Sequence, residues 1–515
     1  MGALRSLQLS PQSINRDAPP TRLGVEGQSE WSYGKNVRFV AQAGYSAAGE
    51  APTYSGLPYI ALWARWGIQR GVPVVFYVGT TYIGCYDGAH HNLTPAGWHR
   101  VMRPEDVTGI VFNDFAVINA LPNAPIYIPL SHDVANPLPG WDATWTCAGI
   151  ASFKSFLVAL GAMTPNPGFQ YSTVRWSASA DPGTLPGEWV ATPTNDAGLL
   201  EATQTPGQLI AACALGDDQL ALYKAQACFA LSFVGGPYVN GLRLLTGIPG
   251  ALGPHAVYSL GQQNLVLTLG DLVLHNGIQR KSLLEGRARK YLFNTIDPAY
   301  FARCYIAEDL EREEINVAYP VVGSNGALVE ALIWNRESDE ISFRDLTRSN
   351  CIFASQVGIY RGLWSDASEA ESWQLAVDRW SDQASSGSGL AVLSCAADSA
   401  QFLVLDAGTT IAGIPAVATL ERMGIPMLPD GRRALLKRVQ PRINGRTGDT
   451  VTVRIGVHDA AGDAVAWEPD RTFTIGVSDW LDCMSSGRYA AVHVESVNPY
   501  SLEGFRLDFS EQGRV

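Results

Sequence analysis

The residues of this chain that could do chemistry are scattered along it. The eight histidines meet only once, at His90-His91. Adjacent residues on a strand point to opposite faces, so a regular strand would not bring both rings to one metal. The eight cysteines (Cys85, Cys147, Cys213, Cys228, Cys304, Cys351, Cys395, Cys483) form no CxxC pair and no Cys/His cluster. They read as buried free thiols of a protein assembled in a reducing cytoplasm. Asp217-Asp218 lies between two apolar runs and reads as a turn whose carboxylates cap local backbone. Glu308, Asp309, Glu311, Glu313 and Glu314 form an acidic run broken by Arg312. It is either a solvated loop ahead of a strand or a charged patch facing a basic partner or a DNA passage. No GxxxxGK[ST], no GxGxxG after a strand, no GxSxG, no HExxH and no EF-hand loop occurs. No catalytic, cofactor-binding or metal-ligating residue is assigned, and the chain is expected not to be an enzyme.

One stretch is enzyme-like. In SADPGTLPGEW (179–189), Ser179, Asp181 and Gly183 have the Ser-x-Asp-x-Gly spacing of a turn found in sialidase-type propellers. Even there Ser and Asp fold the turn by accepting backbone N–H bonds, and Trp189 falls later than the pattern would put it. Glycoside cleavage needs a positioned acid and a nucleophile, in sialidases a tyrosine with clustered arginines. No spacing in this chain gathers such groups.

The elements that must position these residues are strands. Leu265, Leu267 and Leu269 alternate with Val266 and Thr268, Gly270-Asp271 breaks the run, and Leu272 and Leu274 resume it. That is a β-hairpin with a tight turn. Similar strand-turn-strand units start about every 40–60 residues from Trp31 onward, the spacing of propeller blades. Aromatic residues at 10%, 51 glycines and 30 prolines suit many short strands and tight turns. The best helix candidate is the short stretch 292–305. The predicted fold is all-β: a β-propeller of about six blades over 31–415, an extended N-terminal arm over 1–30, and a smaller β-domain or closing blades over 416–515. The Ser-, Asp- and Gly-rich stretch 361–389 is expected to be a long loop or insertion.

Composition narrows the function. Charged residues are 17% and the net charge is −12, which argues against wrapping nucleic acid on a broad basic surface. An acidic wall would still let DNA slide without sticking. The first twenty residues have no apolar h-region, and no run reaches the ~18 apolar residues of a membrane span. Gly2 and Ser6 match a myristoylation pattern and Asn92-Leu93-Thr94 a glycosylation acceptor; both patterns are short enough to arise by chance.

The segment 13–44 carries Asn15, Asp17, Pro19 and Pro20, then Trp31, Asn36, Val37, Arg38 and Phe39. It resembles the opening of the nozzle or hub proteins of short-tailed bacteriophages, where an N-x-D-x-P-P arm precedes a W-x-x-x-x-N-V-R-F strand. Residues 245–283 are similar to the passage between two blades of the phage DNA-stabilisation tail protein family. Tyr319, Pro320, Trp334 and Asn335 sit where that family has a tyrosine-proline and a Trp-Asn strand end, and 436–459, 486–494 and 505–509 resemble its final strands. The resemblance implies a structural virion protein, assembled in the host bacterial cytoplasm, that forms the ring at the tail end. There it would retain packaged DNA and conduct it on ejection. The implied partners are further copies of itself in a ring, expected to be a hexamer, an adaptor or portal-side ring, a tail fibre or tailspike, and double-stranded DNA passing without sequence-specific binding. The chain is shorter than some nozzle proteins, so large fibre-docking insertions are expected to be absent or reduced. On this reading the Glu308–Glu314 run lies near the lumen, and Arg432, Arg433, Lys437, Arg438, Arg442 and Arg446 dock an acidic neighbour. The competing reading is a sialidase-like glycan hydrolase or a glycan-binding propeller, which an arginine-lined pocket in the central cavity would favour.

Overall fold

Short apolar runs separated by glycine- and aspartate-rich turns pair in chain order, each with the next, as tight hairpins dictate. The computed structural model describes residues 4–23, 29–40, 43–46, 49–53, 57–162, 171–357, 389–460 and 462–512. The loop expected at 361–389 lies outside these, apart from Gly389, which opens a strand. Five antiparallel sheets of four strands follow one another. Blade 1 comprises Ala61–Gln69, Val72–Gly79, Ile83–Tyr86 and His90–Asn92. Blade 2 runs from Val107–Phe112 to Asn136–Pro137, and blade 3 from Gly149–Phe153 to Gly198–Glu201. Blade 4 runs from Ala211–Leu215 to Asn240–Leu244, and blade 5 from Val257–Ser259 to Arg280–Ser282.

A nine-stranded sheet then supplies two more blades, because one strand serves both. Ile341–Val357 is 17 residues long. Its first half pairs with Leu328–Asn335 as the outer strand of blade 6, which begins at Tyr305–Asp309. Its second half, from Ser349, pairs with Gly389–Ala396 as the inner strand of blade 7. Phe402–Leu405 comes next, and the outer strand of blade 7 is Glu50–Thr53, from the other end of the chain. The first strand of each blade packs on the first strand of the next, and Ile341–Val357 closes the circle onto Ala61–Gln69. The Asn350 side chain donates to Ala61 O at 2.9 Å across that closure. The propeller therefore has seven blades where about six were expected. The missed blade is the one whose inner strand continues the previous blade without a turn and whose outer strand lies about 350 residues away in sequence.

Blades are sandwiched between neighbours, so both faces of their middle strands are buried. Leu265, Val266 and Leu267 are each 0% exposed, and each fully buried side chain of this kind contributes about 1.5–3 kcal/mol. Gly270, at φ +106, makes the turn of this hairpin, and Leu269 before it is exposed at the turn rather than continuing the strand.

The second domain is a β-sandwich of two six-stranded sheets. Ala418–Pro426, Ala434–Gly445, Thr450–His458, Tyr489–Ser496 and Tyr500–Glu511 form most of it. The N-terminal segment completes both sheets: Leu4–Leu9 pairs with Tyr500–Glu511, and Tyr33–Lys35 with Ala418–Pro426. Leu9, Trp31, Phe39, Leu420, Val453 and Leu507 share its core. The expected extended arm over 1–30 is thus corrected: Leu4–Leu9 is a sandwich strand that gives backbone groups of Tyr500–Glu511 their partners, and Pro11–Ile14 pairs in parallel with Ser29–Trp31. The one α-helix among the described residues is Arg289–Thr295, followed by a 3-10 turn at Pro298–Arg303. No helix is long and apolar enough to cross a membrane among the described residues.

Candidate functional site

Polar residues of the N-terminal segment make an extensive constellation at the joint between sandwich and propeller. The Asn15 amide donates to Glu30 Oε2 at 2.7 Å and to Gly286 O at 2.9 Å, while its oxygen accepts from the backbone N–H of Asp17 and Ala18. This turn aims Asp17 at the start of helix Arg289–Thr295. There its carboxylate accepts from Lys290 N at 2.9 Å and Tyr291 N at 3.0 Å, satisfying donors the helix leaves open. The Arg16 guanidinium lies 4.2 Å from the Tyr33 ring and 4.0 Å from the Tyr291 ring, a cation held between faces from both domains. Pro19 and Pro20 lead into a 3-10 turn whose carbonyls at Pro20 and Leu23 accept from the buried Arg422. Gly424, at φ +68, lets that turn approach, since a Cβ there would lie 2.6 Å from Pro20 backbone.

Asn36 sits at φ +56, a conformation asparagine tolerates. Its side chain donates to Asp345 and to Val417 O and accepts from Asp345 N. Lys35 pairs with Asp345 at 2.6 Å and Glu330 at 2.9 Å. Arg38 meets Glu314 of blade 6 at 2.8 Å and also pairs with Asp406, which follows blade 7. Asp406 in turn accepts two bonds at 3.0 Å from Arg344, whose side chain is 1% exposed. Burial pushes both carboxyls up. At Asp406 the guanidiniums of Arg344 and Arg38 overcome it and hold the group well below the usual range. At Glu314 burial wins over Arg38 alone, and the group stays raised.

A second constellation lines the propeller bore. Arg65 of blade 1 is solvent-accessible yet ringed by protein, and burial lowers its affinity for a proton. It donates to Gly109 O of blade 2 at 3.0 Å and has no carboxylate ion-pair partner among the described residues. It also lies close enough to Cys213 of blade 4 and Tyr258 of blade 5 to stabilise their anions. The Tyr258 hydroxyl donates to Glu308 Oε2 at 2.9 Å, and Arg336 holds the other carboxylate oxygen at 2.5 Å. Burial, then the Glu308 charge, raises Tyr258; burial pushes the Cys213 thiol up to about 12. His255, stacked 4.1 Å from Tyr305, is pushed down to about 3 by burial. Arg65 thus meets blade 2 directly and lies within electrostatic reach of blades 4 and 5.

The acidic run is not a continuous patch. It forms the hairpin between Tyr305–Asp309 and Glu314–Pro320, where Glu308, Asp309 and Glu314 are buried and paired with Arg336, Arg312 and Arg38. Of its charged residues only Glu311, Arg312 and Glu313 are exposed, at the turn beside exposed Leu310. Half of the basic segment is similarly spent: Arg432 pairs with Asp430 and Glu511, Arg433 with Asp459, and Arg438 with Asp508. Lys437, Arg442 and Arg446 remain exposed without an ion-pair partner among the described residues. Asp217-Asp218 is a hairpin turn, with Asp218 bound to Lys154. In 179–189, Ser179 bonds Asp196 and Trp189 is buried against Trp141 of the neighbouring blade, so the stretch is a packed loop between blades 2 and 3. All eight cysteines are free thiols, seven of them buried. His90 turns toward Tyr77 and His91 toward Asp87, on separate faces as expected.

Sequence reasoning missed the joint and the bore. The constellation at the joint pairs residues up to 402 positions apart, and nothing local marks them. For the bore, small or polar residues in first strands, such as Gly109, Cys213 and Tyr258, were a usable signal.

No protein-family model and no curated protein matches this chain. Solved structures do, at low similarity. PorZ, described as an essential surface component of the type-IX secretion system of Porphyromonas gingivalis, is 9% identical with a TM-score of 0.37, over 76% of this chain and 44% of that one. A streptogramin B lyase is 10% identical with a TM-score of 0.39, over 69% of this chain and 97% of that one. The extracellular domain of a one-component system from B. thetaiotaomicron is 10% identical with a TM-score of 0.38, over 70% of this chain and 40% of that one. The chain thus spans less than half the length of the first and third. These likenesses say nothing of the tail-protein resemblance. The expectation that the chain is not an enzyme is withdrawn: one of the matched structures is named as a lyase, and architecture alone gives no ground for excluding catalysis.

Proposed function

We propose that this chain is the structural subunit of a ring at the end of a short phage tail, retaining packaged DNA and conducting it on ejection. One observation supports the reading beyond the sequence resemblance. Of the residues that carry the resemblance, Asn15, Asp17, Asn36 and Arg38 fasten the sandwich to the propeller, while Pro20 is held by Arg422 within the sandwich. A motif that ties two domains into one stiff body suits a part that must bear load while DNA passes. On this reading the lumen would lie between subunits of the ring rather than through a propeller. Ring symmetry would repeat the exposed Glu311 and Glu313 once per subunit along that wall. Lys437, Arg442 and Arg446 would face an acidic neighbour, and adaptor ring and fibre or tailspike remain the partners of this reading.

Electron microscopy of the purified chain, alone and mixed with tail adaptor rings, tests it. Rings with a lumen wide enough for a duplex are expected. A monodisperse monomer at every concentration, with no assembly on adaptor rings, would overturn the reading. A second reading, glycan processing or binding, has one observation in its favour: Tyr258 and Glu308 share a hydrogen bond in a bore that also holds Arg65. Binding of a panel of oligosaccharides to the chain, abolished by Tyr258→Phe and Arg65→Met, would support it, and no binding to any of them would remove it.

A further inference from the structure

Outside the joint and the bore, one cluster brings together groups with metal-ligating chemistry. Asp87 follows the third strand of blade 1, His91 lies on the fourth strand, and His132 comes from the loop between the last two strands of blade 2. One donor atom from each lies within 4.8 Å of the others. His91 Nε2 is 2.9 Å from Asp87 Oδ1, and His132 Nδ1 is 2.8 Å from Asp87 Oδ2. The other ring nitrogen of His132 is 2.7 Å from Gln69 Oε1. The orientation of that amide is fixed, because Gln69 Nε2 donates to Asp114 O at 2.8 Å and the side chain is buried.

Both nitrogens of His132 therefore face oxygen acceptors. A neutral imidazole donates through one nitrogen only. If Nε2–H donates to Gln69, the Nδ1 lone pair points at the Asp87 carboxylate and beside His91. A cation between them converts that repulsion into coordination. The Gln69 bond is then the outer hydrogen bond that ligating histidines usually make, setting the tautomer and the ring plane.

We propose that Asp87, His91 and His132 bind a divalent first-row transition metal, with Gln69 as a positioning residue. Two imidazoles and one carboxylate suit zinc and its neighbours rather than calcium or magnesium, which take oxygen ligands. Three protein ligands leave at least one coordination position open to solvent. His91 and Asp87 are partly exposed, with side chains 37% and 25% accessible, so an ion can enter. Opening each 2.8–2.9 Å contact by a few tenths of an ångström accommodates bonds of about 2.0–2.2 Å. Because His132 belongs to blade 2 and the other two ligands to blade 1, the ion would also clip the two blades together.

Zinc chloride titrated into the purified full chain, with equilibrium dialysis and elemental analysis, tests the site. One zinc per chain and a raised Tm are expected in the parent. His91→Asn, at a partly exposed position, and Asp87→Asn should abolish uptake, and Gln69→Leu should weaken it about 10–100-fold. Cobalt(II) absorbance separates this site from the thiols: nitrogen and oxygen ligation gives d–d bands without thiolate charge transfer. A parent that retains no zinc, equal uptake by His91→Asn and the parent, or a cobalt spectrum with thiolate charge transfer would each overturn the proposal.

Discussion

Replacing Asp406 with asparagine isolates the charge that ties the two domains together. The shape is kept, and the backbone is undisturbed because Asp406 sits at φ +63, which asparagine also adopts. What changes is the environment of two guanidiniums. Arg344 loses its one ion-pair partner among the described residues while its side chain stays 1% exposed; Arg38 keeps Glu314 at 2.8 Å. At an effective dielectric near 20, charges about 4 Å apart attract by roughly 4 kcal/mol. Removing one partner of a buried pair typically costs about 3–5 kcal/mol, or about two to four decades in the unfolding equilibrium. The Asp406 pKa is depressed in the fold, so its contribution is complete above the unfolded value of about 3.9 and is lost only as pH falls through the lower folded value. The difference between parent and variant should therefore be constant from about pH 8 to pH 5 and shrink only in strong acid. Urea unfolding followed by tryptophan fluorescence, with limited proteolysis to show whether the sandwich detaches first, measures it. A loss below about 1 kcal/mol, the range of exposed pairs, would refute the assignment of a buried, coupled joint.

Burial pushes His255 down to about 3 and His275 to about 4, so both stay neutral in the fold while the unfolded chain takes up protons near 6.5. Stability should thus fall as pH drops from 6.5 to 4, by up to about 2.7 kcal/mol per unit for two protons; a flat urea midpoint over that range would contradict it. Gly424→Ala should destabilise the sandwich, because a Cβ would strike Pro20 backbone at a left-handed φ; an unchanged Tm would mean that the 3-10 turn does not hold there. Glu311→Lys with Glu313→Lys should leave stability within about 0.5 kcal/mol, whereas Glu314→Lys should unfold the joint. In assembled particles the double variant should slow DNA ejection at low salt and recover as salt rises; equal rates at low salt would place that turn off the channel wall.

The local grammar of the fold was legible. Gly270-Asp271 between two leucine-valine runs marks the hairpin that pairs Asn264–Thr268 with Asp271–His275. Alternation was less informative than it looked, since Leu265, Val266 and Leu267 are all buried between blades. Blade 7 was invisible because Ile341–Val357 crosses from one blade to the next with no turn residue to announce it. The polar N-terminal segment read as an unattached arm for a related reason. Asn15, Asp17, Asn36 and Arg38 look solvated until their partners, more than 250 residues away, are known. A buried polar group and an exposed one have the same letter. The acidic run showed the converse: strand register, not composition, decides that Glu308 and Glu314 turn inward to arginines while Glu311 and Glu313 face solvent. His132 lies 41 residues beyond His91, and only the contact between neighbouring blades brings them together.

The outer strand of blade 7 is Glu50–Thr53, and Leu4–Leu9 waits for Tyr500–Glu511. On the ribosome this has a temporal consequence. Early segments of the chain emerge with open edges and no partner, the circle of blades cannot shut until Phe402–Leu405 has been made, and the sandwich stays incomplete until Tyr500–Glu511 has been made. At about 5–20 residues per second, the N-terminal strands stay unpaired for tens of seconds. A chain interrupted before Phe402–Leu405 lacks both closures and one interrupted later lacks that of the sandwich, so either presents bare strand edges of the kind that aggregate or attract chaperones. A chain that lacks Tyr500–Glu511 thus leaves Leu4–Leu9 and Ala434–Gly445 with open edges in one sheet, and the order of synthesis makes that strand the step on which the sandwich waits.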